Sequence, residues 1–217
     1  ADHWRILNNL NQPTRFVMTK NNMWRDNIEE MKTKFASSDL VQINWINGDR
    51  IPSPGTWFTN SKFALGGVEK DLLPHLMSLF VAVAGPDFKD YSVKKFTTEQ
   101  KYTLEDCTGT DYGVVDKNGV YDVPDHAELT LSNGDKTFIL NASWKSPFGD
   151  DIAMHFYKGG ESNGESIQLG LCPESAYRKM IEDTLVHMED GYFWNNQLDI
   201  DLWIQELLNE NSENTLH

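Results

Sequence analysis

Asp71 and His75 stand four residues apart in this 217-residue sequence and could together move a proton. On a helix the two share one face, about 6 Å apart at Cβ, because the α-helix repeats every ~3.6 residues. A carboxylate so placed can fix the tautomer and orientation of an imidazole. The imidazole then serves as general acid or base, since its unperturbed pKa of about 6.5 lies close to neutral pH. The same spacing also suits a surface ion pair or a helix cap.

Positioning falls to the surrounding residues. Gly66-Gly67 precedes the pair and permits a sharp turn and the close approach of another chain or a ligand. Pro74 belongs in a first helical turn or at a kink, because it has no N–H to give to the carbonyl four residues back. A helix is predicted from about Val68 to Ala84, stopped by Gly85-Pro86. The loop from Asn47 to Ser61 ahead of it, with Gly48, Pro52, Pro54 and Gly55, is long for a connector. Its Trp57 and Phe58 either serve a site or bury the loop against the core.

Upstream, Trp4, Leu7 and Leu10 predict a short helix over residues 1–11, and Phe16-Val17-Met18 a brief strand. Trp24, Ile28, Met31 and Phe35 form an apolar helical stripe ended by Ser37-Ser38, and Val41, Ile43 and Trp45 alternate as a strand. From Tyr91 the period becomes two. His126–Leu131 and Thr137–Trp144 flank an Asn133-Gly134 turn, and Asn-Gly accepts the positive φ of a tight hairpin. Ile152–Tyr157 and Ser166–Leu171 are further strands, joined through a glycine-rich segment from Gly159 to Gly164 that opens no helix and so is no phosphate cradle. An open antiparallel sheet of about five to seven strands is expected. Amphipathic helices at Ser175–Glu189 and Leu198–Asn209 are expected to cover one of its faces, with a frayed tail from Asn211 to His217.

Composition narrows the class. Hydrophobic residues make up 39% and charged residues 24%, as in a folded soluble domain. No apolar run approaches the ~18–20 residues that cross a bilayer. A net charge of −14 disfavours nucleic acid, whose phosphates call for a basic surface. From Cys172 onward there are ten acidic and two basic residues, read as a solvated helical face or an acidic binding surface. Cys107 and Cys172 form no Cys-x-x-Cys pair, so a disulfide framework or zinc knuckle is not expected, and a reducing, cytoplasmic setting is. His126, His155 and His187 show no metal-ligand spacing with the pair, so no metal is expected. Ala1-Asp2-His3-Trp4 has neither an initiator Met nor the profile of a signal peptide, and the expectation is a chain that begins within a longer one.

Gly66-Gly67-x-x-x-Asp71-x-x-x-His75-Leu76, with this order of elements, resembles the C-terminal half of the glucose-fructose oxidoreductase and inositol dehydrogenase family, Gfo/Idh/MocA. The likeness extends over about two thirds of the chain. Val17–Phe35 is similar to the family's crossover into a long helix, although its usual Arg-Phe pair is replaced by Asn22-Met23. The Asp125–Trp144 hairpin with its Ser143-Trp144 ending is similar to the family's sheet. The sequence lacks both Gly-x-Gly-x-x-Gly and the family's Glu-Lys-Pro segment, whose lysine steadies a developing alkoxide.

The resemblance implies an α+β fold, with a large, mostly antiparallel open sheet whose helices cover one face. Residues 1–20 would be the end of a Rossmann-like dinucleotide domain, 21–210 the substrate and oligomerisation domain, and 211–217 a tail. It implies hydride exchange between NAD or NADP and a sugar, polyol or related hydroxy compound. His75 would be the acid/base, oriented by Asp71 through the other ring N–H. Thr56, Trp57, Phe58 and Asn60 would line the substrate, polar groups beside an aromatic wall suiting hydroxyls. The chain alone would not turn over, and the open face would pair in a homo-oligomer. The rival readings are a non-catalytic sheet module for self-association or partner binding, and a carbohydrate-binding protein using some of the seven Trp.

Overall fold

The computed structural model describes residues 5–6, 18–107, 113–160 and 164–213. The helix expected over 1–11 and the strand at Phe16–Met18 fall almost wholly outside these residues, as do the last four of the tail.

After a 3₁₀ turn at Asn21–Trp24 come α1 (Ile28–Ala36), β1 (Leu40–Ile46), α2 (Ser61–Ala64), α3 (Val68–Asp71) and α4 (Leu73–Ala84). The sheet strands follow as β2 (Ser92–Glu99), β3 (His126–Ser132), β4 (Thr137–Ser143), β5 (Asp151–Tyr157) and β6 (Glu165–Gln168), and the chain ends in α5 (Glu174–Val186) and α6 (Gly191–Glu213). The six strands form one sheet in the order β2-β3-β4-β1-β5-β6. β1 lies in the middle, parallel to β4 and antiparallel to β5, and the remaining neighbours are antiparallel. The fold is therefore α+β with a mixed, mostly antiparallel open sheet.

Alternation along the strands sorts the two faces. Val41, Ile43, Leu129, Leu131, Phe138, Leu140, Met154 and Phe156 are buried on the inner face. α4 lies over them because it is apolar almost all round, with Leu73, Leu76, Met77, Leu79 and Phe80 sealed from solvent. Phe80 meets Phe138 edge-on at 4.8 Å and stacks on Trp203 of α6 at 5.8 Å. The outer face is polar and braced within itself: Asn44 Oδ1 accepts from Gln42 at 3.0 Å and from Asn141 at 2.9 Å, and Asn44 Nδ2 donates to Asp151 at 2.5 Å.

Two expectations are revised. α5 does not cover the sheet; it lies on the 3₁₀ turn at Asn21–Trp24, with Ala176 its buried residue and Tyr177, Ile181, Leu185 and Val186 exposed. The predicted helix from Val68 to Ala84 is two, joined at Leu72. Pro74 has no N–H for Lys70 O, and His75 N instead donates to Leu72 O at 3.1 Å, a tighter 3₁₀ contact. At the entry to the domain, buried Lys20 pairs with buried Asp201 of α6, which also accepts from Met18 N at 2.9 Å.

Candidate active site

The start of α3 is set by a close approach. A Cβ on Gly67 would lie 2.0 Å from Pro124 O, and Val68 N donates to that same carbonyl at 2.9 Å. Only glycine fits there, and the contact hangs α3 from the segment that enters β3. Asp71 ends α3 and His75 lies in the first turn of α4, so one short rigid unit carries both.

The two side chains border one cavity of about 380 Å³ between α4, the ends of β1 and β4, and the 3₁₀ turn. Trp45 and Trp144 form its aromatic walls, and Asn21, Asn22, Asn47 and Arg50 add polar groups. The His75 ring lies against Trp45 with centroids 5.8 Å apart. The His75 carbonyl accepts from Ser78 Oγ at 2.8 Å and Asn22 Nδ2 at 3.4 Å, which steadies the backbone beneath the ring. Burial holds the imidazole pKa below its usual value, and the Asp71 carboxylate opposes this only in part. The imidazole is therefore neutral at pH 7 and able to accept a proton.

Asp71 is anchored differently from the expectation. Its Oδ2 accepts the indole N–H of Trp144 at 2.8 Å, and its influence on His75 is through charge, not through a hydrogen bond to the ring. Burial pushes the Asp71 carboxyl pKa up; the Trp144 hydrogen bond and the nearby His75 pull it back. Two residues earlier, buried Glu69 is also raised by desolvation, one of its oxygens accepting from Gly67 N at 3.0 Å.

The four loop residues expected to line substrate do not border this cavity. Thr56 Oγ1 donates to Ser53 O at 2.7 Å and accepts from Phe58 N, and Asn60 Oδ1 caps Lys62 N at 3.0 Å. Both side chains are consumed by the turns they start. Phe58 packs toward Trp144 at 5.9 Å, while Trp57 is 63% exposed. Trp57 and Phe58 edge a separate cavity of about 140 Å³ that reaches Asp71 from the Gly66-Gly67 side. Of the residues the cavity does use, Asn22 carried one signal: it stands where the related pattern has arginine. Trp144 stands out only as the Ser143-Trp144 ending of the hairpin, and Asn21, Trp45, Asn47 and Arg50 carry no signal, because strand ends and turns meet only in the fold.

A second cluster has the contact order of a hydrolase triad. Asp125 Oδ1 lies 2.6 Å from His126 Nδ1, and His126 Nε2 lies 3.1 Å from Ser143 Oγ. Ser143 is 2% exposed and its hydroxyl donates to Lys145 O at 2.7 Å, so it is neither open to a substrate nor free to yield its proton to the ring. Asp125 is fully buried and accepts from Lys101 N, Tyr102 N and the Tyr121 hydroxyl, fastening this corner of the sheet. His155 and His187 each face a nearby carboxylate, Asp151 and Asp183. Among the described residues no three metal-ligating side chains converge.

A dinucleotide pyrophosphate finds no seat at the glycine turn. Gly67 N is taken by Glu69 and Val68 N by Pro124 O, so the amides that might meet an anion are spent. The described residues thus enclose a cavity of small-molecule size bordered by an imidazole and a carboxylate.

No family model and no curated protein sequence matches the chain. Solved structures do match. They include a myo-inositol dehydrogenase from Corynebacterium glutamicum, with TM-score 0.62 and 13% identity over 90% of this chain and 60% of that one. Levoglucosan dehydrogenase in complex with NADH and levoglucosan gives 0.57 and 10% over 94% and 66%. A super-repressor mutant of Gal80p from Saccharomyces cerevisiae gives 0.55 and 12% over 93% and 64%. The likeness is one of fold, and the chain spans 60–66% of the length of these three proteins.

Proposed function

We propose, on the premise of a fold shared with the C-terminal domain of Gfo/Idh/MocA-type oxidoreductases, that this chain is the substrate-binding and catalytic half of an NAD(P)-dependent oxidoreductase acting on a sugar, polyol or related hydroxy compound. The observation that carries the reading is the single cavity in which His75 and Asp71 stand beside two indole walls and a set of side-chain amides. Oxidation of an alcohol needs a base for the hydroxyl proton, and a neutral, half-buried His75 is that base. Asp71 acts through its charge, favouring the imidazolium as it forms, and Trp144 holds Asp71 in place. A nicotinamide, when bound, accepts the hydride, and its binding residues are assigned to a nucleotide half. Residues 1–20 are read as the end of that half, 21–210 as the substrate domain and 211–217 as a tail.

Two solved neighbours support the substrate class, one named for myo-inositol and one carrying levoglucosan and NADH. Two unpaired cysteines are consistent with a cytoplasmic setting, and no helix among the described residues is long and apolar enough to cross a membrane. The outer sheet face is assigned to self-association, a polar interface that would pair through its amides.

The assay is polyol-dependent reduction of NAD⁺ or NADP⁺ by the protein expressed from its whole coding region. His75→Ala is expected to lower kcat by about 10²–10⁴ with circular dichroism unchanged. Undiminished turnover in that variant would remove His75 from the chemistry. One observation favours a second reading, a binding module: a super-repressor mutant of Gal80p shares this fold at a TM-score of 0.55. Absence of turnover with either nucleotide, together with retained self-association, would support it.

A further inference from the structure

Two residues that line the His75 cavity each carry a side-chain oxygen with no partner among the described residues. Asn21 is 2% exposed and Asn47 is 5% exposed, and the Oδ1 atom of each lacks a hydrogen-bond donor. Both residues line the cavity, one from the 3₁₀ turn and the other from the residue after β1. An amide oxygen buried without a donor carries a desolvation cost that folding leaves uncompensated, and a ligand that supplies the donor recovers it. Two of the nearby donors are engaged elsewhere: the indole N–H of Trp144 is on Asp71, and Arg25 Nε donates to Asn22 Oδ1 at 2.8 Å. Arg50, at the rim, meets Asp150 at 3.1 Å, so its charge is answered without an anionic ligand.

We propose that Asn21 and Asn47 are specificity-determining residues that each receive a substrate hydroxyl, in addition to the one acted on beside His75. The inference rests on the oxidoreductase reading only for the role of His75. The ligand is then a neutral compound with at least three hydroxyl groups and a C–H face that lies against the Trp45 and Trp144 indoles. A monoalcohol leaves both amide oxygens bare. A carboxylate set against them brings acceptor to acceptor. A hydroxyl suits the site because it gives its proton to an amide oxygen and keeps its own lone pairs for a donor.

Binding alone tests this, without nicotinamide. Ligand-observed NMR and calorimetry on the 217-residue chain would compare myo-inositol and glucose with cyclohexanol and glucuronate. The polyols are expected to bind at least about tenfold more tightly than cyclohexanol, with glucuronate no better than glucose. Asn21→Leu and Asn47→Leu are each expected to weaken polyol binding by about tenfold. Asn47→Asp keeps an acceptor at the same place and should retain it. The comparison of ligands needs no variant, so a substitution that unfolds the chain does not blunt the test. Equal binding of cyclohexanol, no binding by either polyol, or unchanged affinity in a folded Leu variant would each overturn the assignment. Failure of the oxidoreductase reading is seen separately, as polyol binding with no turnover of either nicotinamide.

Discussion

The indole N–H of Trp144 reaches Asp71 Oδ2 across 2.8 Å, joining the residue that follows β4 to the last residue of α3. Trp144 is 1% exposed, so this hydrogen bond forms away from bulk water, where a charged acceptor strengthens it. Trp144→Phe keeps most of the packing and removes the donor. The Asp71 carboxyl should then lose an interaction that stabilises its ionised form, and stability should fall by roughly 1–3 kcal/mol. Urea unfolding measures this, and a loss within error of zero would show that the bond contributes nothing net.

Asp71→Asn separates stability from function. Burial raises the Asp71 pKa in the folded chain above its unfolded value. The folded state therefore holds that proton more tightly, and the stability it confers is lost as pH rises through the folded pKa. At pH 7.5 the wild type bears the cost of a buried charge. The asparagine variant, whose Oδ1 still accepts from Trp144, should melt higher, at about 2–4 °C per kcal/mol gained. Its turnover should drop.

For the oxidation proposed above, the pH profile follows from His75. Its pKa is depressed by burial, so the acidic limb, where the base becomes protonated, should lie below about 6.5. Removing the Asp71 charge withdraws the one influence that raises it. The limb in Asp71→Asn should move to still lower pH; a shift upward would mean that another group sets it.

Gly67→Ala places a methyl against Pro124 O, where an ideal Cβ would lie only 2.0 Å away. Backbone faces backbone there, so no side chain can swing aside. The expected cost is about 1–3 kcal/mol or more, with the proposed activity lost because α3 carries Asp71. Wild-type melting and kinetics in this variant would show that the approach to β3 is relaxed at little cost.

Lys20→Met removes the buried cation paired with the fully buried Asp201 carboxylate, and should cost up to about 3–5 kcal/mol. Adding Asp201→Asn should recover part of that loss, because Asn keeps an acceptor for Met18 N. Chemical denaturation of the single and double variants gives the coupling energy.

Local pattern carried much of this architecture. Alternation in Val41–Trp45 and around Asn133-Gly134 marks β1 and the β3–β4 hairpin, since one buried face leaves a period of two. The glycine pair and Asp71 with His75 stand out because close approach and proton transfer each demand particular residue types. Trp144 as the partner of Asp71 was not legible, because 73 residues separate them and only the sheet brings them together. The same holds for Asn21 and Asn47. Thr56 and Asn60 looked like ligand contacts because a cap and a binding group use the same oxygen chemistry. α5 misled for another reason: apolar spacing says which side of a helix is greasy and says nothing of what meets it.

The central place of β1 in the sheet sets an order of assembly. Asn44 and Asn141 are bonded neighbours though 97 residues apart in the chain. β1 leaves the ribosome well before either flanking strand exists, and it carries Val41, Ile43 and Trp45 with both edges open. The β3–β4 hairpin closes locally, but β1 waits for it, and β5 waits for β1. Loop closure on that scale is slow relative to helix or hairpin formation. A nascent chain halted before about residue 143 therefore displays an unpaired apolar strand. That is the interval in which a chaperone would have most to protect.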